Sequence, residues 1–198
     1  FFPKLGVFEG SGGWASHQLH AAGEFYADFG SYRVVMDVPA GWIVGATGVE
    51  VGRETTDDGR LRVSCRADRV HDFAWTTAPA ELMAVVEETF EPGEDVPPRW
   101  LERARILLGR SAADLELVPV NLRLIVPRTQ LALVPRMLRA ARLGLAFYGL
   151  RFGPYPYPQL TLVSPPATAE EAAGMEYPTF VTTGASALMV LPMLRWAP

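Results

Sequence analysis

The sequence predicts an α+β protein in which an antiparallel, β-rich part precedes a mixed part with one long helix. Three observations carry this prediction. Residues 1–77 repeat short β-branched runs separated by turn residues at hairpin spacing, the pattern of antiparallel strands. The segment from Gln130 to Leu150 instead carries apolar residues at steps of three and four, the pattern of a helix. The chain also has 198 residues with 49% hydrophobic and 20% charged, enough to bury a sizeable core and too apolar for disorder.

The elements follow in order. Tyr32 to Val38 is a β-branched strand that ends at the turn Pro39-Ala40-Gly41. Trp42 to Thr47 is the next strand, and Gly48-Val49-Glu50-Val51 follows. Asp57-Asp58-Gly59 marks a hairpin turn. From Arg60 to Arg66, Leu61, Val63 and Cys65 alternate with polar residues, which places the three apolar side chains on one face. His71 to Trp75 closes the run. Ala80 to Glu88 reads as a helical turn or as a further strand, and Glu91 to Pro98 as an acidic, proline-rich surface loop. Asn121 to Val126 alternates Leu122, Leu124 and Val126 as a strand ending at Pro127.

In the helix, Leu131, Val134, Leu138, Ala141, Leu145 and Tyr148 form one apolar stripe, within which Leu138, Ala141 and Leu145 are expected to be buried. Arg136, Arg139 and Arg142 lie on another face, expected to be solvated; contact with anionic lipid is the other reading. Pro135 either kinks this helix or marks its first turn. Gly153-Pro154-Tyr155-Pro156-Tyr157-Pro158 stops it. Leu160 to Val163 and Gly174 to Val181 are strands. The change of texture near residue 78 predicts two unlike domains, 1–77 and 78–198.

Charge and composition exclude several classes. A net charge of -4 argues against a nucleic-acid binder, which needs a basic surface. No apolar run approaches the length of a transmembrane segment. A single cysteine, Cys65, excludes an internal disulfide and a thiolate zinc cluster; its place in the alternation makes it core packing. The opening Phe1-Phe2-Pro3-Lys4 lacks the pattern of a signal peptide. The chain starts without Met and closes at Trp196-Ala197-Pro198 just after an apolar run, the expectation for a piece of a longer protein.

Few residues offer catalytic chemistry. The three histidines are His17, His20 and His71. A metal reading would join the first two to Glu24 and His71, but their spacing of three is wrong for a zinc helix and the HExxH pattern is absent, so no metal site is expected. No Gly-x-Ser-x-Gly elbow is present, and Gly10-Ser11-Gly12-Gly13 lacks the strand and helix that a phosphate loop requires. Asp57 and Asp58 are turn residues. Glu176 stands out as a carboxylate within a strand-like run of Met, Tyr, Phe and Val. Such a group either faces water at a sheet edge or waits in a cleft for a cation, and composition does not choose between them.

These blocks in their order resemble a family. Gly174-Met175-Glu176-Tyr177-Pro178 with Phe180 to Gly184, and the lead-in Phe152 to Tyr157, resemble the Gly-x-Met-Glu-Asn region of zinc aminopeptidases of the membrane-alanyl type, the gluzincins of peptidase family M-one. Phe2 to Val7, Glu24 to Gly30, Val44 to Gly48 and His71 to Trp75 are similar to a bacterial branch, so the resemblance spans nearly the whole chain. It implies that 1–77 is the later part of an amino-terminal β-domain. It also implies that 78–198 is the opening lobe of a thermolysin-like catalytic domain, truncated before the zinc-binding helix.

By the same resemblance, Gly174, Met175, Glu176 and Tyr177 bind substrate in a strand that pairs with an extended peptide, and Glu176 takes the free α-amino group. Zinc belongs to the full-length enzyme and its HExxH helix; this chain has no catalytic residue or ligand of its own and is expected to be inactive alone. Tyr177 stands where many relatives have Asn. The competing class is a non-catalytic module that binds peptides or a partner protein.

Overall fold

The computed structural model describes residues 6–15, 26–111, 113–172 and 174–183. These form twelve strands and three α-helices: β1 (Val7–Phe8), β2 (Trp14–Ala15), β3 (Gly30–Val38), β4 (Trp42–Ala46), β5 (Val49–Thr55), β6 (Leu61–Val70), β7 (Trp75–Pro79), β8 (Met83–Phe90), α1 (Pro92–Asp95), α2 (Pro98–Leu108), β9 (Val120–Pro127), α3 (Val134–Phe152), β10 (Gln159–Val163), β11 (Met175–Tyr177) and β12 (Phe180–Thr182). Mixed α+β architecture is what the patterning predicts.

The amino-terminal part is antiparallel. β3, β6 and β5 form one sheet in that order, and β4 pairs with β7. The Asp57-Asp58-Gly59 turn joins β5 to β6, with Gly59 at φ +77. Val63, Cys65 and Ala67 of β6 are buried against Met36 and Val38 of β3, as the period-two alternation requires. β4 is apolar on both faces because it is covered on both. Val44 and Ala46 join the core of the three-stranded sheet, while Ile43 and Gly45 turn to a second sheet.

That second sheet has five strands in the order β11-β12-β10-β9-β8. β9, β10 and β12 run parallel; β8 and β11 run antiparallel at the edges. Leu122, Leu124 and Val126 of β9 face α3, where Leu138 and Ala146, with Leu162 of β10, complete a buried cluster. Ile125 faces the other way, toward Met83, Val163, Phe180 and the β4–β7 ribbon. The two layers meet so closely that a Cβ on Gly45 would lie 2.3 Å from Ile125 Cδ1.

α3 covers most of the expected 130–150 segment but begins four residues later, after a 3-10 stretch over Arg128–Leu133, and ends two residues later. Pro135 occupies its first turn rather than a kink, where its missing N–H costs nothing. Leu138 is buried, and Ala141 and Leu145 pack half-buried beside it. The stripe is shorter than predicted: Leu131 precedes α3 and Tyr148 is exposed, while Ala146, Gly149 and Leu150 are buried at that end. One open reading is settled and two change. Ala80 to Glu88 resolves in favour of the strand β8. The Glu91–Pro98 region contains the turn α1 and starts α2, a helix the sequence reading did not assign. Gly174 to Val181 is a hairpin of β11 and β12 rather than one strand, because Pro178 and Thr179, at φ +59, turn the chain.

Arg142 also departs from its expected solvated face. It is half-buried and ion-paired with Glu88 of β8 and with Asp95 at 3.6 Å, so it ties α3 to the sheet edge. Arg136 and Arg139 are exposed as expected. No helix among the described residues is long and apolar enough to cross a membrane.

Candidate functional site

The segment that the sequence singles out ends up on a sheet edge. Gly174, at φ +77, leads into β11, and its N–H donates to Thr182 O at 2.9 Å. The Met175 N–H donates to Thr182 Oγ1 at 3.0 Å. β11 pairs only with β12 among the described residues, which leaves its outer side without a strand partner. The cross-strand pairs are Met175 with Thr182, Glu176 with Val181, and Tyr177 with Phe180.

Those pairs fix which way each side chain points. Phe180 is buried in the core under the β4–β7 ribbon and Tyr177 packs beside it, ring centroids 6.3 Å apart. Glu176 therefore shares the opposite face with Val181, which packs toward the α3 cluster. Glu176 is exposed and has no hydrogen bond or ion pair within the described residues. Of the two alternatives for this carboxylate, the edge position is the one observed. Met175 is half-exposed beside it. All four residues named from the sequence thus lie together on one edge.

What holds the edge in place comes from outside it. Thr179, in the β11–β12 turn, is buried, and its Oγ1 accepts the Gly48 N–H at 2.7 Å and Gln159 Nε2 at 3.0 Å. Gln159 Nε2 also bonds Gly48 O, and Thr161 Oγ1 donates to Gln159 Oε1 at 3.1 Å. The Gly-Pro-Tyr-Pro-Tyr lead-in works similarly. Tyr155 packs on the α3 cluster, where burial pushes its phenol pKa upward, and its OH donates to Gln159 O at 3.3 Å. Tyr157 packs on the amino-terminal core and donates to Arg69 O at 2.8 Å.

A second concentration of chemistry lies between the layers. A hollow of about 460 Å³ is lined by Glu50, Cys65, Glu87, Arg123 and Gln159 among others. Glu50 receives Arg53 Nε and Nη2 at 2.7 and 2.8 Å, a fork that holds its carboxyl below the usual range. Arg123 sits between Glu50 at 3.7 Å and Glu87 at 3.6 Å. These charges pair with one another, although Arg123 Nε is buried without a hydrogen-bond partner among the described residues. Burial pushes the Cys65 thiol up to about 11, the wrong direction for a nucleophile. The sequence reading missed Arg123 and Thr179; the signal for the first was an arginine inside a strand whose remaining residues, Asn121 apart, are buried.

Among the described residues, no three His, Cys, Asp or Glu side chains come together to hold a metal ion. His71 is exposed and meets Phe29 edge-on at 5.7 Å. His17, His20 and Glu24 lie outside the described residues. Comparison with known families finds no family model that matches the chain, and comparison with curated proteins finds no match.

Proposed function

We propose that this chain is the part of a zinc-dependent, aminopeptidase-like metallopeptidase that receives the free amino end of a peptide substrate. One observation carries the reading: among the described residues, Glu176 is exposed and without an ion pair on β11, and no strand pairs with the outer side of β11. An extended peptide adds to such an edge through main-chain hydrogen bonds. A carboxylate on that strand then selects a terminal ammonium by a charge-assisted bond. The Gly-Met-Glu-Tyr-Pro motif and its lead-in support assignment to the opening lobe of a thermolysin-like domain, with residues 1–77 as the later part of the preceding β-domain. Bond cleavage belongs to residues that this chain does not supply, so this segment contributes recognition.

The test is a titration of the chain with one short extended peptide, prepared with a free amino end and with an acetylated one, followed by backbone amide shifts. Saturable shifts at Gly174 to Tyr177 with the free-amine peptide, weak or absent with the acetylated one, are expected. Equal shifts with both, or shifts confined to other elements, would remove the amine-recognition role. Equal binding by both on β11 would favour the non-catalytic peptide-binding module.

A further inference from the structure

A groove on the far side of the molecule from the β4–β7 ribbon has no role in that reading. α2 packs against α3 through Trp100, whose ring meets Phe147 edge-on at 5.9 Å. Between the helices lies a hollow of about 530 Å³. Its lining is mostly apolar and includes Trp100, Leu107 and Phe147, and its rim carries Arg99, Arg103 and Arg151. Leu107 is 64% exposed and Phe147 40%, more than packing of α2 on α3 alone requires.

Among the described residues, none of the three rim guanidinium groups has an ion pair. Arg151 stacks over the Phe147 ring at 4.1 Å. Among the described residues no carboxylate lines the groove. The α2 carboxylate Glu102 is paired with Arg105, away from the groove lining. On a chain with a net charge of -4, three such guanidinium groups around an apolar floor form a local reversal of sign.

We infer that this groove docks an acidic amphipathic helix of a partner protein, its apolar residues on Trp100, Leu107 and Phe147 and its carboxylates on Arg99, Arg103 and Arg151. Concavity favours this occupant: a helix lays anchors at i, i+3, i+4 and i+7 into a groove, whereas a lipid surface favours protruding side chains. Guanidinium forks suit carboxylates, and their stems widen the apolar floor.

The experiment titrates the chain, by calorimetry and by amide shifts, with three synthetic helical peptides about four turns long. The first has a Leu/Phe stripe with Glu on its flanks. The second keeps the stripe with Lys on its flanks, and the third keeps Glu with the stripe replaced by Ala. Saturable binding of the first alone, with shifts on α2 and the end of α3, is expected. Arg103→Glu and Leu107→Glu, both at exposed positions, should each weaken it by about tenfold or more while circular dichroism is unchanged. Failure of the first peptide to bind below about 1 mM overturns the inference. So does equal binding of the Lys peptide, or undiminished binding by both variants. Co-sedimentation with phosphatidylglycerol vesicles that the two substitutions abolish, without peptide binding, would assign the face to lipid instead.

Discussion

The backbone N–H of Gly48 donates to Thr179 Oγ1 at 2.7 Å, a bond between residues 131 positions apart in the chain. It joins the turn between β4 and β5 to the turn between β11 and β12. The edge strand that carries Glu176 is thus oriented by the amino-terminal sheets as well as by its own. Both residues hold left-handed backbone, Gly48 at φ +81 and Thr179 at φ +59. Such conformations persist where the surroundings over-determine them, and here Gln159 completes the set by bonding both Gly48 O and Thr179 Oγ1.

Gly48→Ala should therefore unfold the chain more readily. A Cβ at this position would lie 2.2 Å from Arg66 O, and the residue's φ is one that L side chains rarely adopt. The left-handed penalty is roughly 1–2 kcal/mol and the clash with backbone adds to it, so urea denaturation should show a loss of about 2 kcal/mol or more. A loss below the error of the measurement would mean that this turn rearranges freely.

Substitutions at Thr179 separate the hydroxyl from the shape. Thr179→Val leaves the Gly48 N–H without its buried acceptor, a loss of about 1–3 kcal/mol by denaturant titration. Thr179→Ser keeps the acceptor and should retain most of the stability. If the two variants were equally stable, the hydroxyl would not be what holds the turn.

Much of this architecture is readable from local pattern, and the parts that are not have physical reasons. The β6 alternation is legible because one face of that strand is core and the other is wet. The helix stripe is legible from Val134 to Leu145; it fails at Leu131, which precedes α3, and at Tyr148, because the buried face at the far end of α3 is instead Ala146, Gly149 and Leu150. Glu176 stands out in the sequence because a carboxylate in an apolar run is conspicuous. Its supports, Gly48, Thr179 and Gln159, do not, since hydrogen bonds across 131 and 111 positions leave no local trace. The hairpin looks like one strand in the sequence because Pro-Thr is a weak turn signal and Thr179 adopts its positive φ only under tertiary constraint.

Cys65 gives a pH dependence with a definite sign. Its folded thiol is pushed up to about 11 by burial, above the value of 9.0 for an exposed thiol. The native state therefore holds this proton more tightly than the unfolded state. That contribution is intact below pH 9.0 and is lost as pH rises through about 11. Denaturation midpoints should fall across this window, and Cys65→Ala should flatten that part of the profile. Thiol reagents at neutral pH should label Cys65 only as fast as the chain opens; instant labelling would contradict its burial.

Purified chain should not hydrolyse aminoacyl or peptide substrates, with or without added zinc. HExxH is absent from the sequence, and the described residues bring no metal-binding group together. Turnover by homogeneous protein that rises with zinc and is removed by a chelator would refute this expectation.

Glu176→Gln tests the recognition reading most directly, because it preserves shape and removes charge. A charge-assisted bond is worth roughly 1.5–3 kcal/mol, the upper part of that range requiring exclusion of water. Glu176 is solvated in this chain, so the isolated protein should lose only about three- to tenfold in affinity for a free-amine peptide. In a complete zinc enzyme that closes over the same edge, cleavage of free-amine peptides should fall by about ten- to a hundredfold, at about 1.4 kcal/mol per factor of ten. Zinc content should not change, since Glu176 is not assigned as a ligand. Acetylated peptides should be poor for both forms, because the substitution removes only what recognises the ammonium. If Glu176→Gln instead emptied the zinc site, or left free-amine and acetylated peptides equally fast, Glu176 would be a solvated edge carboxylate with no part in choosing the substrate.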